Sequence, residues 1–322
     1  MKTKILITGI NGFIGKNLVS FFLGLKKEIK LYGLDIRKPV RLDKRITFFK
    51  CDILKIKNLY QVFKKIKPDI IFHLAAQSSV PESFKNPKRT FKINIDGTLN
   101  ILEAVRKFCP KAIILIPGSS EEYDGPKSKS LTVRQTGKIK ENQLLRPLSP
   151  YAISKACQEF LGYQYFSTFN LKIILVRVFN VTGPNQGSKA ICGRFAEKIA
   201  EIEIGKAKPV MKVGNLNIVR DFLDVRDLAR AYWLAVKKCK PGEAYNIASG
   251  KGYEIEKVLK KLLSFSKKEI KIKKDTRLFR KKESLVLIGN VTKFKKITGW
   301  KPKIDFLNQT LPELLNYWRK RV

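Results

Sequence analysis

Two residues four apart, Tyr151 and Lys155, stand in the stretch Ser149-Pro150-Tyr151-Ala-Ile-Ser-Lys155. Pro150 disfavours helix at the residue before it and presets φ for a helix start, and Ser149 is suited to cap that helix. On a helix, positions four apart share one face. A lysine ammonium beside a phenol favours the phenolate, so this pair reads as a base usable near neutral pH. Tyrosine and lysine also meet at this spacing by chance, so the pair needs supporting chemistry elsewhere. A second concentration of reactive side chains, Pro117-Gly118-Ser119-Ser120-Glu121-Glu122-Tyr123, supplies hydroxyls and carboxylates about thirty residues upstream.

The elements that must position these groups are legible as alternating strands and helices. Lys4–Thr8 is an apolar run typical of a buried parallel strand. It enters Gly9-Ile-Asn11-Gly12-Phe13-Ile14-Gly15, which opens an apolar-periodic helix. Strand, glycine turn and helix together form a phosphate cradle: tight turn, backbone approach to a pyrophosphate, close helix–strand packing. The spacing is G-x-x-G-x-x-G rather than the G-x-G-x-x-G dehydrogenase fingerprint.

A second strand runs from Ile29 to Leu34 and ends at Asp35, where a carboxylate can bind both ribose hydroxyls and repel a 2′-phosphate. Arg37 and Lys38 follow and are suited to receive that phosphate, so NAD is favoured with NADP left open. Thr47–Cys51 reads as the third strand, with Asp52 and Ile53 placed to meet adenine. The fourth, from Pro68 through His73, ends in Leu74, Ala75 and Ala76, whose backbone can line the cofactor. His73, the single histidine, reads as a satisfied core residue. An amphipathic helix over Asn94–Phe108, a strand at Ala112–Ile116 and another at Leu171–Phe179 complete the alternation.

The fold class is therefore α/β, a doubly wound parallel sheet. Ligands of such sheets lie beyond the carboxyl ends of the strands, which is where Ser119 falls. Residues 1–180 are expected to form the dinucleotide-binding part, with 224–248 returning to it. The remainder of 181–322 is expected to be a smaller, interleaved substrate-binding lobe. It contains a helix near Ala190–Gly205, a helix capped by Asp224 or Asp227, and a last helix near Leu307–Lys320. Asp124–Leu148 reads as a long loop flanking the site.

Composition narrows the function classes. The formal charge is +39, from 50 lysines and 16 arginines against 27 acids. That surface attracts polyanions at low salt. The lysines are spread along the whole chain, and no zinc-finger or RNP signature accompanies them, so no specific nucleic-acid partner is expected. No apolar run reaches membrane-span length and Met1-Lys-Thr-Lys4 leads straight into a strand. A cytoplasmic protein without signal peptide or membrane contact is expected. Five scattered cysteines, not spaced as metal ligands, read as free thiols, and no metal is expected.

The pieces TGINGFIG, HLAAQSSVPES, NIDGTLNILEA, SPYAISK, RVFNVTGP, VRDFLDVRD and YNIASG resemble, nearly end to end, the extended short-chain dehydrogenases/reductases that act on nucleotide sugars. Within that NAD-dependent epimerase/dehydratase family of Rossmann proteins, SSEEY, RDF-x-DVRD and the TGWKP tail are most similar to GDP-mannose 4,6-dehydratases. GDP-4-keto-6-deoxy-mannose reductases share them. The resemblance implies that Tyr151 is the base on the sugar 4-hydroxyl, that Lys155 lowers its pKa and binds the nicotinamide ribose, and that Ser119 bonds the same sugar oxygen. It implies substrate contacts for Ser120 and Asn180, and diphosphate and nucleoside contacts for Arg220, Arg280 and Glu283.

Glu121 falls on the dehydratase elimination base, which favours dehydration of GDP-mannose, with the reductase and then a 4-epimerase as alternatives. Asp124 and Lys281 depart from the family pattern, and the Ser119–Tyr151 interval is long. The family also implies a homodimer through the helices that contain Ile93, Leu99, Phe108, Phe160 and Tyr163.

Overall fold

The computed structural model describes residues 2–25, 28–39, 41, 43–123, 137–279 and 284–322. Six strands alternate with helices: β1 (Thr3–Thr8), β2 (Ile29–Asp35), β3 (Ile46–Lys50), β4 (Ile70–His73), β5 (Ile113–Ser119) and β6 (Lys172–Val178). The chain then adds β7 (Asn180–Thr182), β8 (Val210–Val213), β9 (Val219–Asp224), β10 (Ala244–Ile247), β11 (Gly252–Glu254), β12 (Lys271–Lys274) and β13 (Val286–Leu287).

The main sheet is seven-stranded and parallel, in the order β10-β6-β5-β4-β1-β2-β3. Chain direction across the sheet reverses between β1 and β4, and that crevice is where an open α/β sheet receives its ligand. Successive residues face opposite sides of a strand. Ile5 and Ile7 accordingly pack with Leu18, Phe22 and Phe72 on one face, and Leu6 with Phe63, Ile71 and Ile101 on the other. All the sheet strands expected from sequence are present, because a strand covered on both faces must be apolar nearly throughout.

The second half builds smaller sheets over the carboxyl ends of the first. β9 pairs with β11, β13 and β7, and β8 pairs with β12. None of these was expected as a strand. β13 has two residues, β7 has three, and β12 reads Lys-Ile-Lys-Lys with every residue exposed. Their core gathers Phe195, Met211, Phe222, Leu259 and Leu314, with Phe222 stacked on Phe306 at 4.8 Å.

Two helix starts differ from expectation. The helix expected from Asn94 is regular only over Gly97–Phe108, and a π-helical turn over Lys92–Asp96 precedes it. Asn94 is drawn inward there, its amide donating to Ser154 Oγ at 2.8 Å and Gln77 O at 3.0 Å. The last helix covers Leu311–Arg319 after a similar wide turn at Phe306–Thr310. Among the described residues no helix is long and apolar enough to cross a membrane.

Candidate active site

A cavity of about 1970 Å³ opens over the carboxyl ends of the sheet. Its first wall is the glycine turn. Gly9 holds φ +68°, and a Cβ there would lie 2.8 Å from Ala75 N. A Cβ on Gly15 would lie 2.6 Å from Gly9 O. Side chains are therefore excluded where β1 passes into the Phe13–Leu23 helix, leaving backbone N–H groups and a helix N-terminus facing the cavity. Asn11, Gly12, Phe13 and Ile14 line the same wall. Asp35, at the end of β2, accepts a hydrogen bond from Asn11 N at 3.0 Å, which fixes its carboxylate beside the turn. Arg37, Asp52, Ile53, Leu74, Ala75 and Ala76 continue the lining. A cradle that any Cβ would fill, followed by an acid at the end of β2, fits a dinucleotide.

The reactive groups meet across the cavity floor. Ser149 caps the Pro150–Phe169 helix, its Oγ accepting from Ala152 N at 3.1 Å, so the first turn presents Tyr151. The Tyr151 phenol and the Ser119 hydroxyl are hydrogen-bonded to each other. Ser119 Oγ also accepts from Glu121 N at 3.2 Å as it caps the short 3₁₀ turn Ser120–Glu122. That turn sends its two acids in opposite directions: Glu121 lines the cavity, whereas Glu122 is fully buried.

The electrostatics differ from the sequence expectation in one respect. Burial pushes the Tyr151 phenol well above its ordinary range, against the lowering effect of the Ser119 hydrogen bond, and Glu122 and Glu121 push it further up. Lys155 Nζ does not offset this. It donates to Gln158 Oε1 at 2.7 Å, and burial lowers its pKa to about 8, with Glu122 acting in the opposite direction. Burial therefore raises the Tyr151 phenol, and Lys155 Nζ is engaged by Gln158.

Beneath the floor lies a layer that the sequence did not disclose. Arg177 of β6 is buried and donates to Glu159 at 2.8 and 2.5 Å, to Tyr123 Oη at 2.7 Å and to Glu141 O at 2.7 Å. Its Nε lies 3.9 Å from Glu122 Oε2. Burial and the nearby Glu159 push the Glu122 carboxyl up to about 8. Tyr232 also reaches the cavity wall, stacked on Phe72, with a buried hydroxyl that finds no partner among the described residues. A buried tyrosine hydroxyl ordinarily finds one. Glu122 and Tyr232 sit in patterns that read as a turn and an amphipathic helix, so burial alone distinguishes them.

Ser120, Asn180 and Arg220 also line the cavity. The Asn180 Nδ2 is buried without a partner among the described residues. Arg220 donates to Val219 O at 2.9 Å and is itself buried. Arg280, Glu283, Asp124 and Lys281 lie outside the described residues, as does most of the loop expected from Asp124 onward; Leu278, Phe279 and Ser284 nearby line the cavity. Among the described residues no cluster of three His, Cys, Asp or Glu side chains could hold a metal ion.

Comparison with known proteins gives consistent matches. The family described as GDP-mannose 4,6 dehydratase matches residues 6–310. The chain is 30% identical over 322 residues to a GDP-6-deoxy-D-mannose reductase of Pseudomonas aeruginosa, covering 100% of this chain and 99% of that one. The structure of RMD from Pseudomonas aeruginosa complexed with NADPH superposes with a TM-score of 0.84 at 30% identity, covering all of both chains. A Thermus thermophilus UDP-glucose 4-epimerase complexed with NAD gives 0.86 at 26% identity, covering 99% of this chain and 100% of that one.

Proposed function

Because the chain belongs to the GDP-mannose 4,6-dehydratase family, within the NAD-dependent epimerase/dehydratase type of short-chain dehydrogenase/reductase, we propose that it is an NAD(P)H-dependent reductase of a nucleotide-linked 4-keto-6-deoxy sugar. GDP-4-keto-6-deoxy-mannose is the first candidate substrate. The observation that carries this is the full-length likeness to a reductase, and the Ser119–Tyr151 pair, its phenol raised by burial, accords with it. Reducing a ketone requires an acid at its oxygen, whereas the opening oxidation of a dehydratase requires a base. That likeness ranks the dehydratase, which Glu121 favoured from sequence, second.

Bound NAD(P)H would supply the hydride. The glycine turn and Asp35 would hold its pyrophosphate and adenosine ribose, and Lys155 the nicotinamide ribose. Ser119 orients the sugar C4 oxygen, and Tyr151 gives it a proton as hydride reaches C4; solvent then reprotonates Tyr151. Asn180 and Arg220 would hold the sugar and its diphosphate, a guanidinium fork being suited to phosphate oxygens.

A 4,6-dehydratase is the second reading, favoured by Glu121 facing the cavity two residues from Ser119. Two incubations separate them, each followed by mass spectrometry. NAD(P)H oxidation with GDP-4-keto-6-deoxy-mannose, and no reaction of GDP-mannose without reductant, is expected. Loss of one water from GDP-mannose, abolished in Glu121→Gln, would reverse the assignment.

The assembly proposed is a homodimer. Leu99, Phe160 and Tyr163 are 38%, 60% and 54% exposed on the Gly97–Phe108 and Pro150–Phe169 helices, an apolar surface suited to a second copy. Ile93 and Phe108 instead pack partly into the sheet core. Light scattering at micromolar concentration should give about 74 kDa, twice the 36.9 kDa of the chain.

A further inference from the structure

Lys155, the lysine paired with Tyr151, ends in a run of buried polar side chains whose donors and acceptors can be assigned one by one. Its ammonium has only donors, so Gln158 must offer it Oε1, 2.7 Å away. Gln158 Nε2 therefore faces, and donates to, Thr98 Oγ1. The single Thr98 proton goes to Asn94 O at 2.6 Å. Thr98 Oγ1 can then only accept from His73 Nε2, 3.0 Å away, which makes His73 the neutral Nε2–H tautomer. Its Nδ1 accepts from Thr8 Oγ1 at 2.9 Å, and Thr8 Oγ1 accepts from Ala75 N at 3.2 Å. Each member of the run has at least one partner within it. Lys155 is 6% exposed, Gln158 1%, His73 2%, and both threonines 0%.

A buried ammonium needs such support, since burial favours its neutral form. A lysine that must meet a ribose and a phenol also needs a fixed position. We infer that Gln158 is a positioning residue: it holds the Lys155 ammonium charged and in place for the cofactor ribose, and the Thr98–His73–Thr8 run holds Gln158. The inference rests on the reading of Tyr151 and Lys155 as the reacting pair. On this account His73 is an anchor rather than a proton carrier, because a second proton on Nδ1 would evict the Thr8 donor.

The titratable groups that act on Lys155 or feel its charge are Glu122, from the turn after β5, and His73, from β4. Glu122, itself near 8, titrates in the same window as Lys155. The test measures NADH affinity by fluorescence from pH 6 to 10, which needs no sugar substrate. In the wild type, affinity should fall as pH rises through about 8, where Lys155 loses its proton. In Gln158→Met the fall should begin about one to two pH units lower, the worth of a hydrogen bond to a charged group. In Gln158→Glu it should move to higher pH. Lys155→Met should show no fall in this window, and Glu122→Gln should keep one. A folded Gln158→Met or Gln158→Glu with the wild-type curve overturns the inference. If Lys155→Met retains the fall, or Tyr151→Phe retains turnover, the reading beneath it fails instead.

Discussion

Arg177 offers a sharp stability test because it pairs with one buried acid, Glu159, and lies beside a second, Glu122. Arg177→Met keeps most of the aliphatic stem and removes the guanidinium. The hydrogen bonds to Glu159, Tyr123 and the Glu141 carbonyl go with it, as does the charge 3.9 Å from Glu122. Breaking one side of a buried ion pair costs about 3–5 kcal/mol, because the partner charge is left uncompensated. Unfolding entropy of about 2.1 cal/mol/K per residue gives roughly 0.7 kcal/mol/K for a chain this long, so Tm should drop by about 4–7 °C.

The pH dependence has a definite sign. Glu122 is an acid whose pKa is raised on folding, to about 8, so its stabilising proton is fully present below pH 4.5 and is lost as pH rises through about 8. Arg177 pulls that value down, and without it the carboxyl goes higher. At pH 9 the variant must retain the proton or bury a lone charge, so its deficit should exceed that at pH 6.5. Scanning calorimetry of both proteins at the two pH values is the assay. A Tm change under about 2 °C, or a deficit equal at both, would refute the reasoning.

Three further outcomes follow from the site. Tyr151→Phe should lower turnover of the 4-keto sugar by on the order of 10²–10⁴ with little change in NADH affinity. Asp35→Ser should shift the NADPH/NADH affinity ratio about tenfold or more towards NADPH in a fluorescence titration, since it removes the carboxylate facing a 2′-phosphate and leaves Arg37. Gly9→Ala, forced to φ +68° with its Cβ 2.8 Å from Ala75 N, should lose about 1–3 kcal/mol in urea melts and bind NADH more weakly.

The sequence discloses those parts where one local pattern has one structural cause. Ile5 through Ile7 and Ile70 through Phe72 are apolar because both faces of the sheet are covered, and no positional information beyond the run is required. The glycine turn and the Ser149 cap are likewise local. β9 is not, since its Val-Arg-Asp-Phe-Leu-Asp becomes a strand only when β7, β11 and β13 arrive from distant parts of the chain. Nor is the state of Tyr151. Spacing places Lys155 on the same helical face, but the partner of that ammonium, Gln158, one turn further on, reads as an ordinary helix residue. Glu122 and Glu121 are identical neighbours in sequence, and the hand of one 3₁₀ turn decides which is buried.

The passage from β6 into β7 has a mechanical consequence. A single residue, Phe179, separates Val178 of the main sheet from Asn180 of β7, and its N–H is held by Ile247 O at 3.0 Å. The chain comes back with no spacer at all, β9 ending at Asp224 and the next helix beginning at Val225. β7 and β9 pair side by side, Asn180 opposite Phe222, so these two short connections are coupled. Lengthening either by one residue would throw Asn180 and Arg220 out of phase with Tyr151. The loop around Gly205, with open space beside that glycine, should absorb the same insertion without effect on the site.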